Sequence, residues 1–245
     1  MALIEEMDNT GNWLFQRRSY LPIVMYLFGA LVLYLEPESN FVLPTSLTWG
    51  LICLGVSFIG IVIRAIVIGY IPKATSGRNT SGQVAETVNT RGIYSIVRHP
   101  LYLGNFFMWL GIILYVGNVW FCIVSCLLFW LYYERIMFAE EIFMQKKFGE
   151  RYGEWAKDVP PFFPKFKRYK RSKMSFSLKN VLKREYSGFL ALFVSFFLLN
   201  FLKNYFQTGQ VLIQSIWSIL LVIAIFITLI IKFLRTKGIL DVSGR

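Results

Sequence analysis

Apolar residues along this chain are gathered into blocks and are not spread at a strand or surface-helix period. Six blocks stand out, at residues 20–35, 47–71, 101–115, 119–133, 188–202 and 211–233. A hydrocarbon core of ~30 Å takes about 20 residues of helix at 1.5 Å per residue, so the first block is on the short side and the second is ample. Backbone in lipid must satisfy its own hydrogen bonds, and blocks of this kind therefore predict helices. The fold class expected is all-α: a polytopic transmembrane helical bundle of about six spans. A short amphipathic lead, residues 13–18 with Trp13, Arg17 and Arg18, suits the headgroup region.

The polar stretches between the blocks set the connections. Glu36-Pro37-Glu38 stops the first block, and residues 72–90, rich in Gly, Ser, Thr and Asn, form irregular backbone able to fold over a ligand. Val116-Gly117-Asn118 leaves room only for a tight turn, so the third and fourth helices form an antiparallel hairpin. Beyond it, residues 134–158 are polar, but Ile136, Met137, Ile142, Phe143 and Phe148 fall on one helical face, so the fourth helix continues past the bilayer. Phe148-Gly149 breaks it, and the prolines of residues 159–164 exclude helix there. Residues 165–184 hold nine basic and no acidic side chains. They read as a juxtamembrane belt on anionic lipid, at about 1 kcal/mol per basic residue near the surface. Four regions follow: 1–82 with the first two helices, 83–164 as a module with the third and fourth, 165–186 as the basic segment, and 187–245 with the last two helices and a basic tail.

Composition agrees with a membrane phase: 56% of residues are hydrophobic, 18% aromatic, and the mean hydropathy is +0.52. The net charge of +12, from 26 basic and 14 acidic residues, belongs on cytoplasmic loops facing anionic lipid, not on a nucleic-acid surface. Basic residues fall in alternate loops, and residues 36–46, 116–118 and 203–210 carry only Lys203 between them. Both termini are thus expected in the cytoplasm, in a bacterial inner membrane or a eukaryotic endoplasmic reticulum. The start, Met-Ala-Leu-Ile-Glu-Glu-Met-Asp, is acidic where a leader would be basic, and no cleavage is expected. Cys53, Cys122 and Cys126 lie in apolar blocks without metal-ligand spacing, so neither disulfide nor zinc is expected.

Candidate chemistry is concentrated in residues 91–104, Arg-Gly-Ile-Tyr-Ser-Ile-Val-Arg-His-Pro-Leu-Tyr-Leu-Gly, which hold the single histidine. His99 can change charge near neutral pH; beside Arg98 its neutral form is expected. Glu140 and Glu141, adjacent on a helix, point about 100° apart, which predicts two different partners and not one shared ligand. Taken alone, this pair reads as a solvated helix face. Arg64 interrupts the second apolar block and is expected to face protein or to reach for the surface.

Several elements together carry a family resemblance. Gly92-Ile93-Tyr94, Arg98-His99-Pro100-Leu101-Tyr102-Leu103-Gly104, Glu140-Glu141, Phe148-Gly149, Tyr152, Trp155 and Val159-Pro160 with Pro164 resemble the C-terminal module of isoprenylcysteine carboxyl methyltransferases and their phospholipid-methyltransferase relatives. The likeness covers residues 83–164, about a third of the chain, and Glu141 and Gly149 keep the family's interval of eight.

The resemblance implies S-adenosylmethionine as methyl donor and a lipid or lipophilic small-molecule acceptor arriving from the bilayer. Carried over by position, Tyr94, Arg98, His99, Pro100, Leu101 and Tyr102 line the donor, with the backbone around Thr87 and Val88. Glu140 then stands on the acceptor side, and Glu141 braces the site or meets the donor's amino group. Where the prenylcysteine enzymes have a substrate-holding arginine one turn before the first glutamate, this chain has Ile136, with Arg135 beside it as the acceptor-side candidate. Trp155 replaces the usual tyrosine, a change expected to do little beyond keeping an aromatic near the headgroups. Methyl transfer from a sulfonium needs positioning more than acid/base groups, which suits so sparse a polar set. Two other readings fit parts of the pattern. NADPH-dependent sterol reductases share a similar His-Pro-x-Tyr module but usually lack the Glu-Glu pair, and a non-catalytic lipid-binding protein would need only the basic belt.

Overall fold

The computed structural model describes residues 2–36, 43–44, 46–72, 82–211 and 214–244. The expected turn at Pro37-Glu38 and residues 73–81 of the loop at 72–90, including Lys73 and Arg78, lie outside the described residues.

Among the described residues eight α-helices follow in order: α1 (Ala2–Arg17), α2 (Leu21–Leu35), α3 (Leu47–Tyr70), α4 (Pro100–Val116), α5 (Val119–Phe148), α6 (Glu150–Asp158), α7 (Leu178–Thr208) and α8 (Ser215–Thr236). Of these, α3, α5, α7 and α8 are long and apolar enough to cross a membrane, and α2 and α4 are shorter apolar helices. At 17 residues α4 reaches only about 26 Å, just under the hydrocarbon thickness. Each of the six apolar blocks thus contains a helix, and this is a multi-pass membrane protein.

Local chemistry explains the boundaries. Ser46 caps α3 by accepting from the Trp49 amide at 3.2 Å. Gly117, left-handed at φ 94°, closes α4, and the Asn118 side chain then caps α5 by accepting from the Phe121 amide at 2.8 Å. Two residues therefore suffice for the α4–α5 hairpin. The bundle's core gathers Leu33, Cys53, Ile113, Phe121, Phe196 and Trp217 from six helices, with Tyr115, Phe196 and Trp217 in mutual ring contact at 5.0–5.4 Å. Close approach of α3 to α4 depends on glycine: a side chain at Gly60 would meet the Gly104 carbonyl and lie 2.6 Å from the Met108 amide.

Three elements differ from expectation. The lead is not confined to residues 13–18 but is a full four-turn helix, α1, lying along the polar extension of α5. The last helix pair begins earlier than its apolar block, because Ser177 caps α7 and Asn180 donates to the Ile68 carbonyl at 2.7 Å. Residues 178–186 are therefore helix docked on α3, not part of a separate basic segment. Residues 150–158, which carry no apolar block, form α6 folded back beneath α5.

The seat of α1 rests on one glycine. A side chain at Gly11 would run into the Arg135 carbonyl and sit 2.7 Å from the Ala139 Cβ. Backbone cannot yield there, so Gly11→Val is expected to lift α1 from α5 and cost about 1–3 kcal/mol. Limited proteolysis should then cut within α1, where the native chain resists.

Candidate active site

The polar ends of α4 and α5 meet at one place. Pro100 starts α4, and the amides of Arg98 and His99 donate to the carbonyls of Pro160 (2.9 Å) and Pro161 (3.1 Å). The proline-rich segment is thus a backbone brace for the Arg-His-Pro turn. Beneath it a second core of Phe15, Leu103, Ile136, Met137 and Phe162 joins α1, α4, α5 and that brace.

On this platform four charged groups close on one another. His99 Nε2 lies 2.9 Å from Glu141 Oε1, and His99 Nδ1 lies 3.4 Å from Glu140 Oε2. Arg98 pairs with the other Glu141 oxygen at 3.0 Å, and the Tyr102 hydroxyl donates to Glu140 Oε1 at 2.7 Å. The Tyr102 ring stacks on the imidazole, 16° from parallel. The glutamates do have separate partners, Tyr102 and Arg98, but they also share the imidazole from opposite ring nitrogens. The solvated-face reading of the pair therefore fails: a histidine inserted between the two carboxylates spans their angular divergence.

The same contacts work against the neutral form expected for His99. Burial opposes the imidazolium, but hydrogen bonds to Glu140 and Glu141, and their charge, outweigh it and raise the pKa above its ordinary value of 6.5. Arg98 does not repel the ring as expected because it is turned onto Glu141. With the imidazolium, two cations face two anions.

Stability should follow from that sign. The folded pKa exceeds the unfolded one, so this contribution is full below about 6.5 and is lost as pH rises through the raised value. Melting temperature is expected to fall with rising pH over that window in the native protein, and His99→Gln should lose that component of the slope.

Three of the four, Arg98, His99 and Glu140, form one edge of a cavity of about 780 Å³. Thr87, Val88, Tyr94, Arg98, His99, Pro100, Leu101, Tyr102 and Glu140 all line it. Glu141 and Arg135 are not among its lining residues. Glu141 sits behind the imidazole as a brace, and the Arg135 backbone is spent on the α1 contact. Trp155 does more than expected: it lines the cavity, and its indole Nε1–H is buried without an acceptor among the described residues. Arg98 Nε–H is a second buried donor in the same condition. Two orphaned donors on residues that line one cavity are suited to a ligand rich in acceptors.

Several lining residues had not been singled out. Phe15 enters from α1, Arg18 and Ser19 from the turn after it, and Asn105, Met108 and Tyr133 from the bundle. From α7 come Arg184, Glu185, Ser187 and Gly188. Arg64 faces protein: its Nε and one terminal nitrogen clamp Glu185 at 2.7 and 2.9 Å, and the other terminal nitrogen donates to Asn105 at 2.5 Å. Asn105 in turn donates to the Tyr133 hydroxyl at 3.0 Å. The signal for this network was Glu185 itself, the first acidic residue after the nine basic ones and the natural counter-charge for Arg64.

Comparison with known proteins bears on the same residues. Residues 45–151, which contain Arg64, the quartet and Tyr102, match the family model described as phospholipid methyltransferase. This segment is similar to that family. The chain is 37% identical over 76 residues to protein-S-isoprenylcysteine O-methyltransferase of Schizosaccharomyces pombe, covering 31% of this chain and 32% of the relative. A probable protein-S-isoprenylcysteine O-methyltransferase of Oryza sativa subsp. japonica is 29% identical over 118 residues, 44% of this chain and 61% of that one. The cobalt-zinc-cadmium resistance protein CzcN of Cupriavidus metallidurans is 29% identical over 133 residues, 54% and 56% of the two chains. The matches thus span less than two thirds of each relative. No solved structure matches. Trp155 and the α7 residues of the cavity fall outside the matched segment, so the cavity is completed by parts of the chain the family model does not reach.

Proposed function

We propose that this chain is an integral membrane methyltransferase that uses S-adenosylmethionine to methylate a lipid or other lipophilic acceptor, with the quartet on the cytoplasmic face and both termini in the cytoplasm. The observation that carries the reading is the cavity, which runs from the Arg98–His99–Glu140 edge to Arg64, Met108 and Gly188 between membrane helices.

The residues present fit such a donor. Arg98 Nε and Trp155 Nε1 offer unsatisfied N–H groups to its carboxylate or ribose oxygens, and Tyr94, Tyr102 and Trp155 offer aromatic faces to its cation and base. The bound donor would supply a methyl group on a positively charged sulfur. Glu140, lining the cavity and fixed by Tyr102 and His99, is placed to favour positive charge there or to orient the attacking group. Glu141 holds the imidazole, not the ligand. Tyr102 and Tyr133, with ring centroids 4.7 Å apart, form a wall that excludes water from the reacting centre. A lipophilic acceptor would reach it from the bilayer side, past Met108 and Gly188.

Membranes containing the protein, incubated with methyl-labelled S-adenosylmethionine, should transfer label to an extractable lipophilic product. Glu140→Gln should cut that transfer about tenfold or more while changing donor affinity little. If Glu140→Gln mainly abolishes donor binding, the roles assigned to the two glutamates are reversed.

A further inference from the structure

The strap that follows the proline-rich segment is placed in a way its charge alone does not explain. It starts against lipid-facing surface: Phe163 stacks on Trp130 of α5, 6.2 Å between centroids, beside the exposed Leu127 and Leu131. It ends against α3, where Phe176 covers Gly69 and packs on Tyr70, and the Ser177 amide donates to the Gly69 carbonyl at 2.9 Å. Residues 163–176 therefore cross one end of the bundle from one spanning helix to another, at the level where those helices leave the apolar zone.

Along that path the outward side chains are of two kinds. Phe163, Phe166 and Tyr169 are exposed at 72, 74 and 59%, a wasteful placement in water but a suitable one at headgroup depth. Between and beyond them Lys165, Lys167, Arg168, Lys170, Arg171 and Lys173 are all exposed, and of these Arg168 is drawn to Asp158 at 3.0 Å.

The inward side is stitched to the turn that carries His99. Lys165 N–H donates to the Ile96 carbonyl at 2.9 Å, Gly92 N–H to the Lys170 carbonyl at 2.8 Å, and Lys170 N–H to Ser95 Oγ at 2.8 Å. The Pro160 and Pro161 carbonyls, just ahead of the strap, hold the Arg98 and His99 amides. One face of this segment is thus a row of cations and rings, and the other is the back of the candidate site.

We propose that residues 163–176 are a docking surface for anionic phospholipid headgroups and that, when docked, the strap holds the Gly92–His99 turn in place, so the site is firmest on an anionic membrane. Charge complementarity and interfacial aromatics select a lipid surface as the partner. The inference concerns the strap and the turn, and it stands apart from which reaction the cavity performs.

Hydrogen exchange on the full chain in nanodiscs tests it without any donor or acceptor. Amides of Gly92, Arg98, His99, Lys165 and Lys170 should exchange about tenfold more slowly in phosphatidylcholine with phosphatidylglycerol than in phosphatidylcholine alone. High salt should remove most of that difference. The variant K165Q/K167Q/K170Q/R171Q/K173Q, which spares the Arg168–Asp158 pair, should match the native protein in phosphatidylcholine, showing an intact fold, and should lose the response to phosphatidylglycerol. Equal exchange of the native protein in both lipids would overturn the proposal, as would an undiminished response in the variant.

Discussion

His99→Ala is expected to weaken binding of S-adenosylhomocysteine roughly 50-fold, the equivalent of losing about 2–3 kcal/mol when a charged hydrogen-bond partner is removed. His99 stands between Glu140 and Glu141, with one ring nitrogen toward each carboxylate. Without it, Glu140 keeps Tyr102 and Glu141 keeps Arg98, but the carboxylates repel and the cavity edge opens. The fold should persist, because residue 99 still donates its amide to Pro161 and the second core is untouched. Calorimetric titration of the variant, with a thermal melt as control, checks both halves. Unchanged affinity would remove His99 from the site.

Arg64→Ala is expected to have the largest effect on stability, about 3–5 kcal/mol, because it strands Glu185 in a buried position. The converse change, Glu185→Ala, strands a guanidinium that retains only Asn105 and should cost a similar amount. Replacing both by apolar residues, as in R64M/E185L, should recover much of the loss, since a well-packed apolar pair avoids the desolvation of two charges. Melting temperatures of the three variants in one detergent decide the matter. If the double variant is as stable as the native chain yet loses turnover, the pair is kept for the acceptor end of the cavity. If either single variant melts like the native protein, the pair is not buried as described.

How much of this was legible in the sequence depends on the range of the forces involved. The helices were, because each apolar block is a local property and the Gly117-Asn118 turn leaves one arrangement for α4 and α5. The convergence of His99 with Glu140 and Glu141 followed from that hairpin. The charge state of His99 did not, because it depends on which way Arg98 turns, and only tertiary contact with Glu141 decides that. Trp155 looked like a peripheral substitution since nothing in its neighbours reveals that α6 folds back under α5. Arg135 looked eligible by spacing, but the path of α1 across its carbonyl depends on Gly11, more than a hundred residues away. The early start of α7 was masked by its basic composition: Ser177 and Asn180 mark the helix end, but only docking on Gly69 and Ile68 makes that end form.

Whether the cavity edged by Arg98, His99 and Glu140 receives a sulfonium methyl donor is tested most closely by direct titration of the purified full chain with S-adenosylhomocysteine. Saturable binding is expected, lost or greatly weakened in His99→Ala and largely kept in Glu140→Gln. Absence of binding by the native chain, or binding of NADPH in its place, would contradict the account.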